Sequence, residues 1–277
     1  MISSTSAPML APGLGHAAFG AEPGRWPLPA ARGAEELLRR AVAAGGQGRY
    51  ASAQADLAEL LRRDRPGRWV SLAMSTRASF HRQLGWHALA RGWDGRALAR
   101  AGSDAQAGVD ALIGLAADAL GLGRLAASAA LLTRATALLD GASAGAEAPP
   151  DRLPIRLAWV RAELAMAAGD GDDATNHARR GVELAEQALP ALRRHRVKSD
   201  VVLAAALCSA GDLAASRAVA DAALTDTLTY GLVPLRWALA CLLAGIGSEA
   251  HGPAEIADIR DHSAAFITRH GGHLRSS

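Results

Sequence analysis

From about residue 33 to the C-terminus, apolar side chains recur at helical spacing, and each apolar stripe ends at a small-residue turn before the next begins. The chain therefore reads as helix, tight turn, helix, repeated. Aligned on the turn glycine, one phrase returns: Gly48-x-Tyr50-x-x-Ala53 with Leu57 and Leu60, then Gly85-x-His87-x-x-Ala90 with Ala97 and Leu98. Gly123-x-Leu125-x-x-Ser128, Gly169-x-Gly171-x-x-Ala174 and Gly211-x-Leu213-x-x-Ser216 continue it, and a weaker sixth copy turns near Gly247. Successive turns lie about 36 to 46 residues apart, the range of helical-hairpin repeats. A small residue five positions after the glycine lets two antiparallel helices approach closely. Larger residues fill the gap to the next hairpin, so the stack is the folding unit. The expected fold is all-α, with a single domain over residues 32–272.

Two stretches break the pattern. Residues 1–31 carry Pro8, Pro12, Pro23, Pro27 and Pro29 with weak apolar periodicity, and read as a disordered or loosely packed tail. A loose linker is expected over about 141–153, through Pro149 and Pro150. At the other end, Pro253 suits a first helical turn and Gly271 and Gly272 suit a stop. A capping helix is expected between them, with Ile256, Ile259, Phe266 and Ile267 on its apolar stripe and Asp258, Asp261 and Arg269 toward water.

The turn glycine, the apolar or aromatic residue two on and the small residue five on resemble the tetratricopeptide repeat family, over about residues 33 to 270. The first unit matches best and ends at Pro66, where that family often has proline. The resemblance implies a right-handed α-solenoid of about five to six helix-turn-helix repeats. It also implies that the first helix of each repeat lines a concave groove where ligands bind. On that register Ser75, Ser79 and Arg82 face the groove, as do Arg156, Trp159, Glu163, Lys198, Arg236 and Trp237. Arg77 and Arg161 fall where the family has a large apolar residue. Arginine there is costly unless paired, so either a polar network with Glu163 or Asp200 is expected, or the register slips by one and both are exposed.

Composition narrows the function. Half the residues are hydrophobic but only 4% are aromatic, so the core is built of Ala and Leu. Formal net charge is +3, Lys198 is the only lysine, and no aromatics interleave the densest basic run, Arg193 to Lys198. That run is expected either to dock an acidic partner or to be a solvated junction, and the balance weighs against nucleic acid. Two cysteines, Cys208 and Cys241, make no disulfide framework, and are expected as buried neighbours on adjacent first helices. No basic leader precedes an apolar core and no uncharged run approaches a membrane span, so a cytoplasmic setting is expected.

Chemistry-bearing motifs have plainer readings. Gly46-x-Gly48-x-x-Ala51, Gly121-x-Gly123-x-x-Ala126 and Gly169-x-Gly171-x-x-Ala174 match a dinucleotide fingerprint, but between helices rather than after a strand. The nine histidines include no His-Glu-x-x-His, and no Cys-x-x-Cys or Gly-x-Ser-x-Gly occurs. No cofactor or metal is expected. Trp86 and Trp93, seven apart, are expected on one face of a second helix. The leading expectation is a non-catalytic module binding a peptide or helix of another protein in its groove. The alternative is a sensor of a peptide or small molecule acting through a second chain. The least favoured is an enzyme using Arg161, Glu163 and Arg236.

Overall fold

In the computed structural model, which describes residues 13–143 and 150–275, the turn glycines sit where a side chain would be strained. Gly48 has φ 80° and Gly211 φ 87°, the left-handed region that glycine enters without a Cβ clash. The residue after each such glycine closes the preceding helix by donating its N–H five residues back. Arg49 to Ala44 O, Trp86 to His81 O, Arg124 to Ala119 O, Asp170 to Ala165 O and Asp212 to Leu207 O all do so at 2.8–3.0 Å. Asp104, Asp170 and Asp212 then start helices by accepting from a backbone N–H three residues on.

Thirteen helices result among the described residues: α1 (Leu14–Phe19), α2 (Ala34–Gly46), α3 (Tyr50–Arg63), α4 (Arg68–Gln83), α5 (His87–Arg100), α6 (Ala105–Gly121), α7 (Leu125–Ser143), α8 (Arg152–Ala168), α9 (Gly171–Gln187), α10 (Arg193–Ser209), α11 (Leu213–Thr229), α12 (Val233–Ile246) and α13 (Pro253–Arg269). From α2 onward they pack as sequential antiparallel pairs, and α2, α4, α6, α8, α10 and α12 contact one another from pair to pair. The small residue five after each turn glycine is the point of closest approach. Ala53, Ala90, Ser128, Ala174 and Ser216 have no exposed surface. The Ser216 hydroxyl also donates to Ala204 O across its hairpin, at 2.8 Å.

Three sequence expectations meet the structure here. Within the segment read as a loose tail, α1 forms a helix with Leu14, Ala17 and Ala18 buried. The chain after it is held by the Gln47 side chain, which donates to Pro23 O and Arg25 O at 2.9 Å. Residues 1–12, and 144–149 of the expected linker, lie outside the described residues. Cys241 is exposed and Cys208 half-buried, so the expected pair of buried cysteines is corrected: the α12 face bearing Cys241 turns outward.

The two ends of the array meet. Ala51 N–H donates to His270 O at 2.7 Å, Arg275 N–H to Leu84 O at 2.9 Å, and Trp86 Nε1 to His273 O at 2.7 Å. One apolar cluster joins Leu38, Val42, Tyr50 and Phe80 of the first two hairpins to Val233 and Ile267 of the last. The first and last hairpins thereby pack against each other.

Candidate ligand cavity

A pocket of about 320 Å³, partly open to solvent, lies beside this junction of the first and last hairpins. Its wall comes mainly from α2, α4, α8, α10 and α12, with Asp110 from α6, Tyr50 from the start of α3, Ile267 from α13 and Phe19 from α1. One side is cationic. Arg152 and Arg156, one turn apart on α8, both reach Asp110. Arg152 does so bidentately, with Nη1 to Oδ1 at 2.9 Å. Arg194 and Lys198, also one turn apart, project from α10. Four cationic side chains thus share the wall with a single carboxylate. Arg194 reaches across to α2, where Nη1 donates to Val42 O at a long 3.3 Å. Gly46 makes room for it, since a Cβ there would lie 3.0 Å from the Arg194 side chain. Lys198 Nζ stands 3.5 Å from Glu163 Oε1 and 6.0 Å from the centre of the Trp159 ring.

Burial lowers the affinity of these groups for protons. It brings Arg152 down to about 10. It brings Arg156 to about 10 as well, with the Arg82 charge adding to the effect. Arg194 also falls to about 10, burial first and then repulsion from Arg152 and Arg156. His195, 3% exposed, is held well below the usual histidine value by burial and then by Arg194, Arg152 and Arg156. Its ring stacks on Trp159, with centroids 5.5 Å apart and planes 20° apart. Its Nδ1 is buried without a hydrogen-bond partner among the described residues. Trp159 is fixed by donating Nε1 to Ser199 Oγ at 2.8 Å, and Ser199 in turn donates to Gly181 O.

The remaining wall is mainly apolar and aromatic, with the polar Ser75, Thr76, Ser79 and Gln83 of α4 among it. Tyr50 packs edge-on against Phe80 with centroids 5.4 Å apart and donates its hydroxyl to Gln83 Oε1 at 3.0 Å; burial raises its pKa. Leu72, Trp237 and Ile267 complete this side. Phe19 lies 5.4 Å from the Arg152 guanidinium and 6.2 Å from the His195 ring. It also lines an adjoining cleft of about 670 Å³ beside α1.

Of the residues expected in the groove, Ser75, Ser79, Arg156, Trp159, Lys198 and Trp237 line the cavity. Arg82 instead turns between α4, α5 and α6. It ion-pairs there with Asp94 at 3.0 Å and with Asp118, and donates to Gly114 O. Arg77 lies over the Trp93 ring at 4.3 Å, with Arg96 4.7 Å from the same ring. Arg161 donates to Thr136 Oγ1 at 2.8 Å and Arg236 to Ser263 Oγ at 3.1 Å. The network expected to tie Arg77 and Arg161 to Glu163 or Asp200 is therefore corrected. Glu163 meets Lys198 and Asp200 meets Arg196, while the two inter-helix arginines use an indole face and a hydroxyl. The basic run also divides: Arg194 and His195 turn into the cavity, and Arg196 pairs with Glu186 and Asp200. Trp86 caps α5 against the C-terminal residues rather than sharing a stripe with Trp93.

Sequence reasoning missed Asp110, Arg152 and Phe19. The spacing of Arg152, Arg156 and Trp159 on one helical face was the available signal for the first cluster. Phe19 had none, because α1 is placed by tertiary contact.

No family model matches the chain, and no curated protein matches it in sequence. Among the described residues, no helix is long and apolar enough to cross a membrane, and no group of His, Cys, Asp and Glu is placed to hold a metal ion.

Proposed function

We propose that the protein is a non-catalytic recognition module, a superhelical array of tetratricopeptide-like hairpins that binds a ligand in its central cavity and acts through a second chain. The observation that carries this reading is the pocket of about 320 Å³ lined by four cationic and several aromatic side chains. That is the scale and the mixed lining of a small-molecule site. The groups on the wall that could act as acid or base are held in place: Asp110 is paired with two arginines, and the His195 ring is stacked on Trp159 and held neutral by burial. Arg161, Glu163 and Arg236, weighed as catalytic candidates, have separate partners on separate elements.

A thermal-shift screen of metabolites and short peptides against the full chain tests it. A ligand at a hundred times its Kd stabilises the folded form by about 2.7 kcal/mol, which reads as a clear rise in Tm. The reading is lost if nothing raises Tm, or if every hit keeps its full shift when Trp159 and Trp237 are both replaced by alanine. A second reading, anchoring of a side chain from a partner peptide, is supported by the tryptophan and arginine content of the wall.

A further inference from the structure

We infer that the cavity takes a small amphiphilic organic anion: an oxyanion head, of carboxylate or phosphate type, on an apolar or aromatic body. This rests on the recognition reading above and names the ligand class for that same site.

Three independent features converge. First, positive charge in the wall exceeds what the protein neutralises. Arg152 and Arg156 share Asp110, whereas Arg194, the third guanidinium on this wall, has among the described residues only the carbonyl of Val42 as acceptor, at 3.3 Å. Burying a cation without a counter-charge opposes folding, and an apolar side chain of similar volume is the more stable solution. Arg194, part-buried and without a carboxylate partner among the described residues, leaves a positive charge that an anionic ligand can meet. Arginine forks match planar oxyanions in two-point geometry. Second, His195 Nδ1 is buried and unpartnered on the same wall. A buried polar atom left without a partner costs free energy, and a ligand head group beside Arg194 would supply that partner. Third, the facing wall of Leu72, Phe80, Trp237 and Ile267 offers no charge for a second ionic group, but does offer apolar area for a body. Size argues for a small molecule over a polypeptide. The pocket measures about 320 Å³, and Phe19 from α1 stands between it and the adjoining cleft.

The test is calorimetric titration of the full chain with 4-phenylbutyrate, phenyl phosphate, the neutral isostere 4-phenylbutanol, inorganic phosphate, and the peptide acetyl-Ala-Ala-Phe with a free carboxylate. The expected result is binding of 4-phenylbutyrate, phenyl phosphate or both, at least about tenfold tighter than the alcohol and than inorganic phosphate. Whichever of the two binds more tightly identifies the head group. Arg194→Met is expected to lose at least about tenfold in affinity. Its Tm should stay at or above that of the wild type, because no carboxylate is orphaned. Lys198→Met serves as a second charge-removal variant, should Arg194→Met fail to fold. The inference is overturned by equal binding of acid and alcohol, by inorganic phosphate binding as tightly as the aryl anions, or by unchanged affinity in the folded charge-removal variant. It is also overturned if the peptide binds more tightly than the small acids, or if neither anion binds up to about 10 mM. A neutral compound that raises Tm through the cavity would end this inference while leaving the recognition reading intact. A screen in which nothing raises Tm would end both.

Discussion

Arg82 shows how a single side chain holds three helices in register. It leaves α4 to meet Asp94 on α5 and Asp118 on α6, both without exposed side-chain surface. Gly114 makes the meeting possible, since a Cβ there would sit 2.2 Å from Asp94 Oδ2. Burial raises the Asp94 carboxyl to about 7, against the pull of Arg82 and with the push of Asp118, and burial raises Asp118 as well. Arg82→Met would leave two buried carboxylates uncompensated, at a cost of about 3–5 kcal/mol in urea unfolding at neutral pH. The deficit should shrink as pH falls. Without Arg82 the folded-state carboxyls titrate still higher above their unfolded value, so the folded form takes up protons first and gains stability on acidification. A deficit that does not change with pH would refute this account. His195 has the opposite sign. Its folded pKa lies below the unfolded one, so the stability it contributes is present above about pH 6.5 and is lost as pH falls below that value. His195→Phe should therefore lose less stability than the wild type between neutral and mildly acidic pH, as followed by urea midpoints.

At the scale of elements, what was legible was local. A glycine with positive φ and a small residue five positions later mark each hairpin, because both answer to geometry that recurs inside one repeat. Pro253 and Gly271 likewise bracket α13, and Ile256 and Ile267 on its stripe are buried as expected. What was not legible was whatever depends on a distant part of the chain. The six-residue α1 has too short a stripe to declare itself among prolines, and its burial comes from packing on α2 and α10. Gln47 holds the chain after α1 through two carbonyls, and Arg49 lies over the Trp26 ring at 4.0 Å. Gln47→Ala should cost about 1–3 kcal/mol of local docking free energy and speed tryptic cleavage after Arg25 relative to the wild type. The hairpins α2–α13 should stay intact by circular dichroism. An unchanged rate at Arg25 would mean that other contacts hold the segment.

For the whole molecule, the decisive feature is that the first and last hairpins share a core. In an open repeat array each unit touches only its neighbours, so the ends fray independently and the middle is the most protected. Here Ile267 is buried with Tyr50 and Phe80, and residues 270–275 bond to Ala51, Leu84 and Trp86. The same closure explains why the site was only half legible. Arg156 and Trp159 announce one wall by their spacing on α8, but that they share a pocket with Tyr50 and Phe80 depends on packing between distant parts of the chain. Closure also changes how the protein should open. Ile267→Ala removes part of a buried side chain at the junction, and core truncations of this kind cost about 2–5 kcal/mol. In hydrogen exchange, amides of α2 and α3 should lose protection together with those of α12 and α13, although α2 lies more than two hundred positions before the substitution. Amides of α6 to α9, which pack on neither α12 nor α13 to any extent, should change least. If protection falls only in α12 and α13, the contacts between the ends carry no stability.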